Sequence, residues 1–254
     1  METNKLYNAR WEDILPTIPD ESVNLFFTDP PYNVSIDCVL YRNYRSSGKS
    51  GNVSLDFGEW DKEEFTPEPF LEEAKRILIP SGSIVVWTSS QLLGKYYDWL
   101  YKNMKPKQLL IWEKVNPIPQ FKKLGYRQAT EYMYWATKQK MSKDNPDFIF
   151  HSQEEMINIF RAPIVGGKER CGHPCQKPLS VCQEIIKRHC RPDGIVLDCF
   201  SGVATIPLAA YSLGRRYLGI EMDTKYHKKG LRRIKDYKIK VEEETEDFEQ
   251  IKMF

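Results

Sequence analysis

The sequence predicts an α/β fold, a mostly parallel sheet with helices on both faces, from three observations. Short apolar, β-prone runs alternate with segments of helical spacing, turn residues separate the two, and two of the runs end abruptly in an acid, Asp29 and Glu221. Alternating strands and helices build parallel sheets because each crossover helix returns the chain to the same end of the sheet and covers a face. Ligands in such sheets bind beyond the carboxyl ends of the strands, so two acids distant in sequence can meet in one cleft.

Residues 23–28 (VNLFFT) form the first expected strand, stopped by Asp29-Pro30-Pro31, because proline lacks the N–H that pairing needs. Thr66-Pro67 offers a cap and first turn for a helix with Phe70, Leu71, Ala74 and Leu78 on one face, and Pro80-Ser81-Gly82 ends it before a strand at 83–88. Strands follow at 109–112 and 132–136, flanking a loop with Asn116-Pro117-Ile118-Pro119. A helix opening near Pro178 places Leu179, Cys182, Ile185 and Ile186 on one face, and Asp193-Gly194 turns the chain into a strand at 195–199. A glycine-bearing loop, a helix stopped by Gly214 and a strand at 217–220 complete the series.

A chain of 254 residues can bury one sizeable core, so residues 1–254 are expected to form a single domain. Its 28% charged and 41% apolar residues are those of a globular protein, and the absence of an apolar run of bilayer length excludes a membrane partner. Residues 1–10 show no signal-peptide core, and six scattered cysteines read as reduced thiols; both point to the cytoplasm. The net charge of +2 conceals segregation: eight Lys and Arg against one Asp in 225–240, then six acids in 242–249. Residues 34–60 are expected to be a loop that contacts nucleic acid, with Tyr41, Arg42, Arg45 and Lys49 set among Ser, Gly and Asn for phosphate contact and base stacking. Lys122, Lys123 and Arg127 are further candidates for such contact, and 138–170 is the candidate recognition insert.

Two segments carry the chemistry. Asp198-Cys199-Phe200-Ser201-Gly202-Val203-Ala204-Thr205 joins a strand to a helix, where backbone amides and the helix dipole receive polar ligands, and Glu221 follows Gly202 at the offset of an acid that accepts ribose hydroxyls. A nucleoside cofactor is implied, and Ala204 in place of a second glycine argues against a dinucleotide. Asp29-Pro30-Pro31-Tyr32 suits an aromatic amine, whose lone pair is delocalised into its ring. The Asp29 carboxylate and Pro30 carbonyl can each take one amino hydrogen, Pro30 and Pro31 hold that carbonyl still, and Tyr32 offers a ring face for an extruded base.

Thr28-Asp29-Pro30-Pro31-Tyr32-Asn33, His173-Pro174-Cys175-Gln176-Lys177-Pro178, Val196 to Gly202 and Gly219-Ile220-Glu221, in that order, resemble the β class of amino-group DNA methyltransferases. The similarity extends over nearly the whole chain, including 75–85 and 112–117. It implies a circularly permuted Rossmann-like methyltransferase fold with a mostly parallel seven-stranded sheet, S-adenosylmethionine as methyl donor and double-stranded DNA as substrate, with Asp at position 29 favouring adenine N6. It also implies catalytic roles for Asp29, Pro30, Pro31 and Tyr32, and a cofactor site of Asp29, Gln176, Lys177, Pro178, Asp198, Phe200, Gly202, Thr205 and Glu221. The chain departs from the family pattern at Val203-Ala204, usually Ser-Gly, and at Ala9-Arg10, usually Gly-Asp. N4-cytosine as target, and a DNA-binding relative that has lost turnover, stay open.

Pro174-Cys175-Gln176 mimics the nucleophile motif of cytosine 5-position enzymes, but there the cofactor loop comes first, whereas here Cys175 precedes it. Cys171, His173, Cys175 and His189 lack the paired spacing of structural zinc sites, so no metal is expected. The brevity of 138–170 implies that residues 34–60, and a second subunit in a homodimer, share the reading of DNA.

Overall fold

The computed structural model describes residues 1–31, 66–120, 123–142 and 145–252, with side chains described as far as residue 243. Strands are β1 (Lys5–Tyr7), β2 (Val23–Thr28), β3 (Leu78–Thr88), β4 (Lys105–Lys114), β5 (Thr130–Thr137), β6 (Ile159–Ala162), β7 (Ile195–Asp198) and β8 (Arg216–Ile220). Helices are α1 (Trp11–Ile14), α2 (Glu68–Ile77), α3 (Leu93–Asn103), α4 (Leu179–His189), α5 (Thr205–Ser212) and α6 (Thr224–Lys252). Among the described residues the strands form one sheet in the order β1-β8-β7-β2-β3-β5-β4-β6, one strand more than the seven expected. Pairing is parallel from β1 to β3, antiparallel on both sides of β5, and parallel again between β4 and β6.

The sheet separates two apolar layers. On one face α4, α5 and α6 pack through Val181, Ile185, Leu208 and Ile234; on the other, α2 and α3 contribute Phe70, Leu71, Ile77, Tyr96 and Leu100, with Trp11 and Ile14 of α1 partly buried against them. β2 lies at the centre and all six of its residues are buried, which is why it is a continuous apolar run rather than an alternating one.

Three elements escape the sequence pattern. β1 and β6 have three and four residues and sit at the sheet edges, where pairing with β8 and β4 rather than local preference holds them. α3 follows a polar stretch and buries Tyr96, Trp99 and Leu100 against the sheet. β3 also begins earlier than its turn residues suggest: Val23 pairs with Leu78 but Leu25 with Ser83, so Pro80-Ser81-Gly82 bulge out of the ladder. A Cβ at Gly82 would lie 3.0 Å from the carbonyl oxygens of Asn24 and Ile79, so only glycine fits the bulge comfortably. The segment 138–170 supplies β6 and the fully buried Asp147, which accepts hydrogen bonds from Asn24 Nδ2 (2.7 Å) and Ser81 Oγ (2.5 Å). Among the described residues no helix is long and apolar enough to cross a membrane.

Candidate active site

Neighbouring strands β2 and β7 send the chain in opposite directions, from β2 by α2 to β3 on one face and from β7 by α5 to β8 on the other. Diverging crossovers leave the strand ends between them uncovered, and a crevice opens there. It is a cavity of about 1080 Å3 whose wall includes Asp29, Pro30, Asp198, Gly202 and Glu221. Thr28 Oγ1 donates to Asp198 Oδ1 at 2.7 Å, tying the carboxyl ends of β2 and β7 together.

The loop from β7 to α5 is folded by its own backbone. Ser201 bridges β7 and β8, its Oγ donating to the Asp198 carbonyl at 2.9 Å and accepting from Ile220 N at 3.1 Å. Gly202 and Ala204 both have positive φ, +52° and +58°, so the chain turns twice before α5. Ala204 is therefore strained where the family has glycine, by roughly 1–2 kcal/mol. Its methyl group has room only because the residue opposite on α6 is Gly230, whose own Cβ would lie 2.9 Å from that of Ala204. Arg233 of α6 grips the turn, donating to Val203 O (2.6 Å) and Thr205 Oγ1 (3.0 Å).

Glu221, at the end of β8, accepts from Gly202 N and from Asp223 N, each at 2.7 Å. Burial nevertheless raises it to about 7, against the pull of those two amides. Asp198 also rises to about 7 through burial, with Asp29 and Glu221 adding repulsion and the Thr28 hydroxyl and Phe200 amide opposing it. Two enclosed carboxylates, each above its ordinary range, face a cavity that bounds a glycine turn. This is a site poised for a ligand carrying hydroxyl and ammonium donors, which fits S-adenosylmethionine.

Asp29 Oδ2 accepts from Lys177 Nζ at 2.6 Å. Lys177 is 5% exposed, lies 5.0 Å from the centre of the Trp87 ring, and also faces Glu131 Oε2 at 3.4 Å. Burial lowers Lys177, but Asp29 and Glu131 outweigh it and hold the ammonium above its ordinary value. Lys177 thus brings the His173–Pro178 segment to the Asp29-Pro30-Pro31 segment, 148 positions away in sequence.

The remaining expected residues divide. Pro31, Phe200 and Thr205 line the cavity, and Pro178 precedes the first residue of α4. Gln176, though a wall residue, directs its amide to Cys171 N (2.9 Å) and Glu169 O (2.8 Å) and so locks the loop before α4. Lys123 and Arg127 are exposed on the 115–129 loop between β4 and β5, with Arg127 donating to the Pro117 carbonyl. Tyr32, Tyr41, Arg42, Arg45, Lys49 and Lys122, and with them residues 34–60, lie outside the described residues. His189 packs against Trp135 and Phe148 while His173 packs against Tyr226, so these two imidazoles serve different parts of the core and cavity.

The family model described as DNA methylase, of N6/N4 type, matches residues 23–232. The chain belongs to this family. As a DNA methylase it is 32% identical over 243 residues to the type II methyltransferase M.HinfI of Haemophilus influenzae, covering 88% of this chain and 66% of that protein. It therefore spans about two thirds of that relative's length. Identity to the type II methyltransferase M2.MboI of Moraxella bovis is 30% over 241 residues, covering 87% and 84% of the two chains. Among solved structures, M1.HpyAVI in complex with SAM superposes with a TM-score of 0.68 at 26% identity, over 90% of this chain and 98% of that one. The cytosine-N4-specific PvuII DNA methyltransferase shares the fold at a TM-score of 0.65 and 17% identity, over 93% and 91%.

Sequence inspection of this DNA methylase missed Thr28, Trp87, Lys114, Glu131, His173 and Arg233 as parts of the site. Thr28 and His173 stood inside recognisable motifs; the others sit in ordinary strand or helix patterns and join the site through tertiary packing. Burial, followed by Lys177 and Lys229, drives the His173 imidazole down to about 4, so it is neutral at physiological pH.

Proposed function

We propose that this chain transfers a methyl group from S-adenosylmethionine to the exocyclic N6 of adenine in double-stranded DNA, by base extrusion and direct transfer. The observation that carries this reading is the convergence of Asp29-Pro30 at the end of β2 with Asp198, Gly202 and Glu221 at the ends of β7 and β8, on the wall of one cavity. The family match and the SAM complex of M1.HpyAVI support it.

When bound, S-adenosylmethionine supplies an electrophilic sulfonium methyl. Glu221 would hold its ribose hydroxyls, and Asp198, Phe200 and Gly202 its methionine end. Asp29 and the Pro30 carbonyl accept the two amino hydrogens of the base, which draws the nitrogen toward tetrahedral geometry and turns its lone pair outward. The nitrogen would form the new N–C bond as the methyl–sulfur bond breaks and leaves a neutral thioether, and its surplus proton would pass by way of the Asp29 carboxylate to solvent. Pro30 and Pro31 keep the acceptors from swinging away because their φ angles are fixed. Tyr32 is assigned as the stacking platform for the extruded base.

DNA contact is assigned to Tyr41, Arg42, Arg45, Lys49, Lys122, Lys123 and Arg127. Residues 34–60, the segment 138–170 and a second copy of the chain in a homodimer share the reading of the DNA word. The protein is assigned to the cytoplasm, where both substrates are present. Treatment of unmodified DNA with protein and cofactor, followed by modified-base sequencing and nucleoside mass spectrometry, tests the proposal: N6-methyladenine in a defined word is expected. N4-methylcytosine would move the target to the other amino group, and an unmodified product would end the proposal.

A further inference from the structure

We propose that Lys177 is a positioning residue for methyl transfer, clamped against Asp29 by Glu131 and Lys114 so that the catalytic carboxylate is presented ionised and in one orientation. This rests on the function proposed above, because it concerns how that same carboxylate is prepared.

Four charges of alternating sign form a line across the sheet. Lys114 at the end of β4 meets Glu131 Oε1 at 2.8 Å, Glu131 at the start of β5 meets Lys177 at 3.4 Å, and Lys177 meets Asp29 at 2.6 Å. The side chains are 12%, 25%, 5% and 19% exposed respectively, so solvent screens these contacts far less than surface pairs. Among the described residues these two cations and two carboxylates compensate one another, which favours tolerating them in an enclosed place. Lys177 holds its ammonium over the Trp87 ring and between two acids, leaving it little freedom to turn toward a ligand. A cofactor-binding role for its charge would require breaking the Asp29 contact. A role toward Asp29 uses the geometry as it stands.

The chemistry needs such a device. An ionised carboxylate accepts a hydrogen from the base amine; a protonated one competes as a donor and loses the alignment. Other groups near Asp29 push toward protonation: Asp198 on β7 faces it as a like charge, and its surroundings include Tyr96 on α3 and Cys182 on α4. Lys177 in turn feels Cys175 and His173 from its own loop. Lys177 is a cation in direct contact with Asp29. Burial raises Glu131, but Lys177 and Lys114 together bring it below its ordinary value, so it remains an anion that holds Lys177 from behind.

The test uses the full chain with double-stranded DNA and S-adenosylmethionine, comparing wild type with Lys177→Met, Lys177→Arg and Glu131→Gln. Single-turnover methylation is followed from pH 5 to 9, and cofactor affinity by calorimetry. Lys177→Met is expected to keep cofactor affinity within about threefold, to lose at least tenfold in rate at neutral pH, and to shift the acid limb of its profile upward by about 1–3 pH units, the usual effect of removing an adjacent opposite charge. Lys177→Arg should restore the wild-type limb. Glu131→Gln should lower the rate throughout without an upward shift, since the cation at Asp29 remains. A Lys177→Met profile like that of wild type, or a loss confined to cofactor affinity, would overturn the proposal. Carbon NMR titration of aspartate-labelled wild type, with Asp29 assigned by Asp29→Asn, does not depend on any lysine variant folding. A midpoint below the free-aspartate value of about 3.9 is expected, and one at or above it overturns the proposal. Should wild type make no N6-methyladenine, the proposed function fails, while the titration still reports separately on the Lys177–Asp29 pair.

Discussion

Replacing Glu221 with Gln should stabilise the cofactor-free protein at alkaline pH while weakening its hold on the cofactor. Glu221 ionises at about 7 in the folded chain against an ordinary 4.5, through burial that the amides of Asp223 and Gly202 only partly offset. At 1.36 kcal/mol per pH unit the difference corresponds to roughly 3 kcal/mol. The sign follows from proton uptake: between 4.5 and about 7 the folded protein holds a proton that the unfolded chain has released, so this contribution is intact below 4.5 and is lost as pH rises through 7. Most of the loss, about 2 kcal/mol, falls between pH 5 and pH 8. Glutamine keeps an acceptor oxygen for one of the two amides but cannot ionise, so its offset is independent of pH. Asp198 titrates in both proteins, and because the Glu221 charge is among the groups that raise it, its own rise is smaller in the variant and adds to the variant's gain at high pH.

Thermal unfolding without cofactor should therefore show the variant gaining on wild type by about 4–8 °C between pH 5 and pH 8, at 2–4 °C per kcal/mol for a chain of this size. Calorimetry at pH 8 should show cofactor affinity reduced by about 10–100-fold, the value of charge-assisted bonds to ribose hydroxyls. A stability gap that does not move with pH would refute the buried-carboxylate account. Unchanged affinity would refute the ribose site.

Asp29→Ala should lose roughly 10²–10³ in turnover while retaining cofactor binding, because one of two amino acceptors is gone; wild-type rates would remove Asp29 from the mechanism. Gly230→Ala should destabilise by about 1–3 kcal/mol through collision with Ala204, and Ala204→Gly in the same chain should recover much of that loss in chemical denaturation; additive losses would show that the two residues do not meet. Cys175→Ser should still yield N6-methyladenine, since transfer to an amino nitrogen needs no thiolate. Appearance of 5-methylcytosine with the native protein, and its loss in the serine variant, would contradict the chemistry. Neutralising Arg42, Arg45 and Lys49 together should flatten the salt dependence of DNA binding by about 0.9 in log-log slope per lost phosphate contact, and an unaltered slope would count against that assignment.

The sequence alone determined the central strands, the acids at their ends and the order of the two motifs. β2 and β7 are short apolar runs closed by Asp29 and Asp198, and a buried parallel strand has no other way to be written. The glycine turn and Glu221 were legible for the same local reason, since a tight strand-to-helix turn and an acid at a fixed offset are features of neighbouring residues. Tertiary structure decided the rest. A partner of Asp29 is a lysine 148 positions away, and that lysine is held by Glu131, whose strand pattern looks like any other. Ala204 reads as a departure from a glycine pattern until α6 places Gly230 opposite it and leaves room for the methyl group. β1 and β6 exist only because β8 and β4 offer them ladders. Periodicity and turn chemistry act over a few residues and are written locally, whereas charge compensation, steric allowance and edge pairing depend on which distant segments the sheet order makes neighbours.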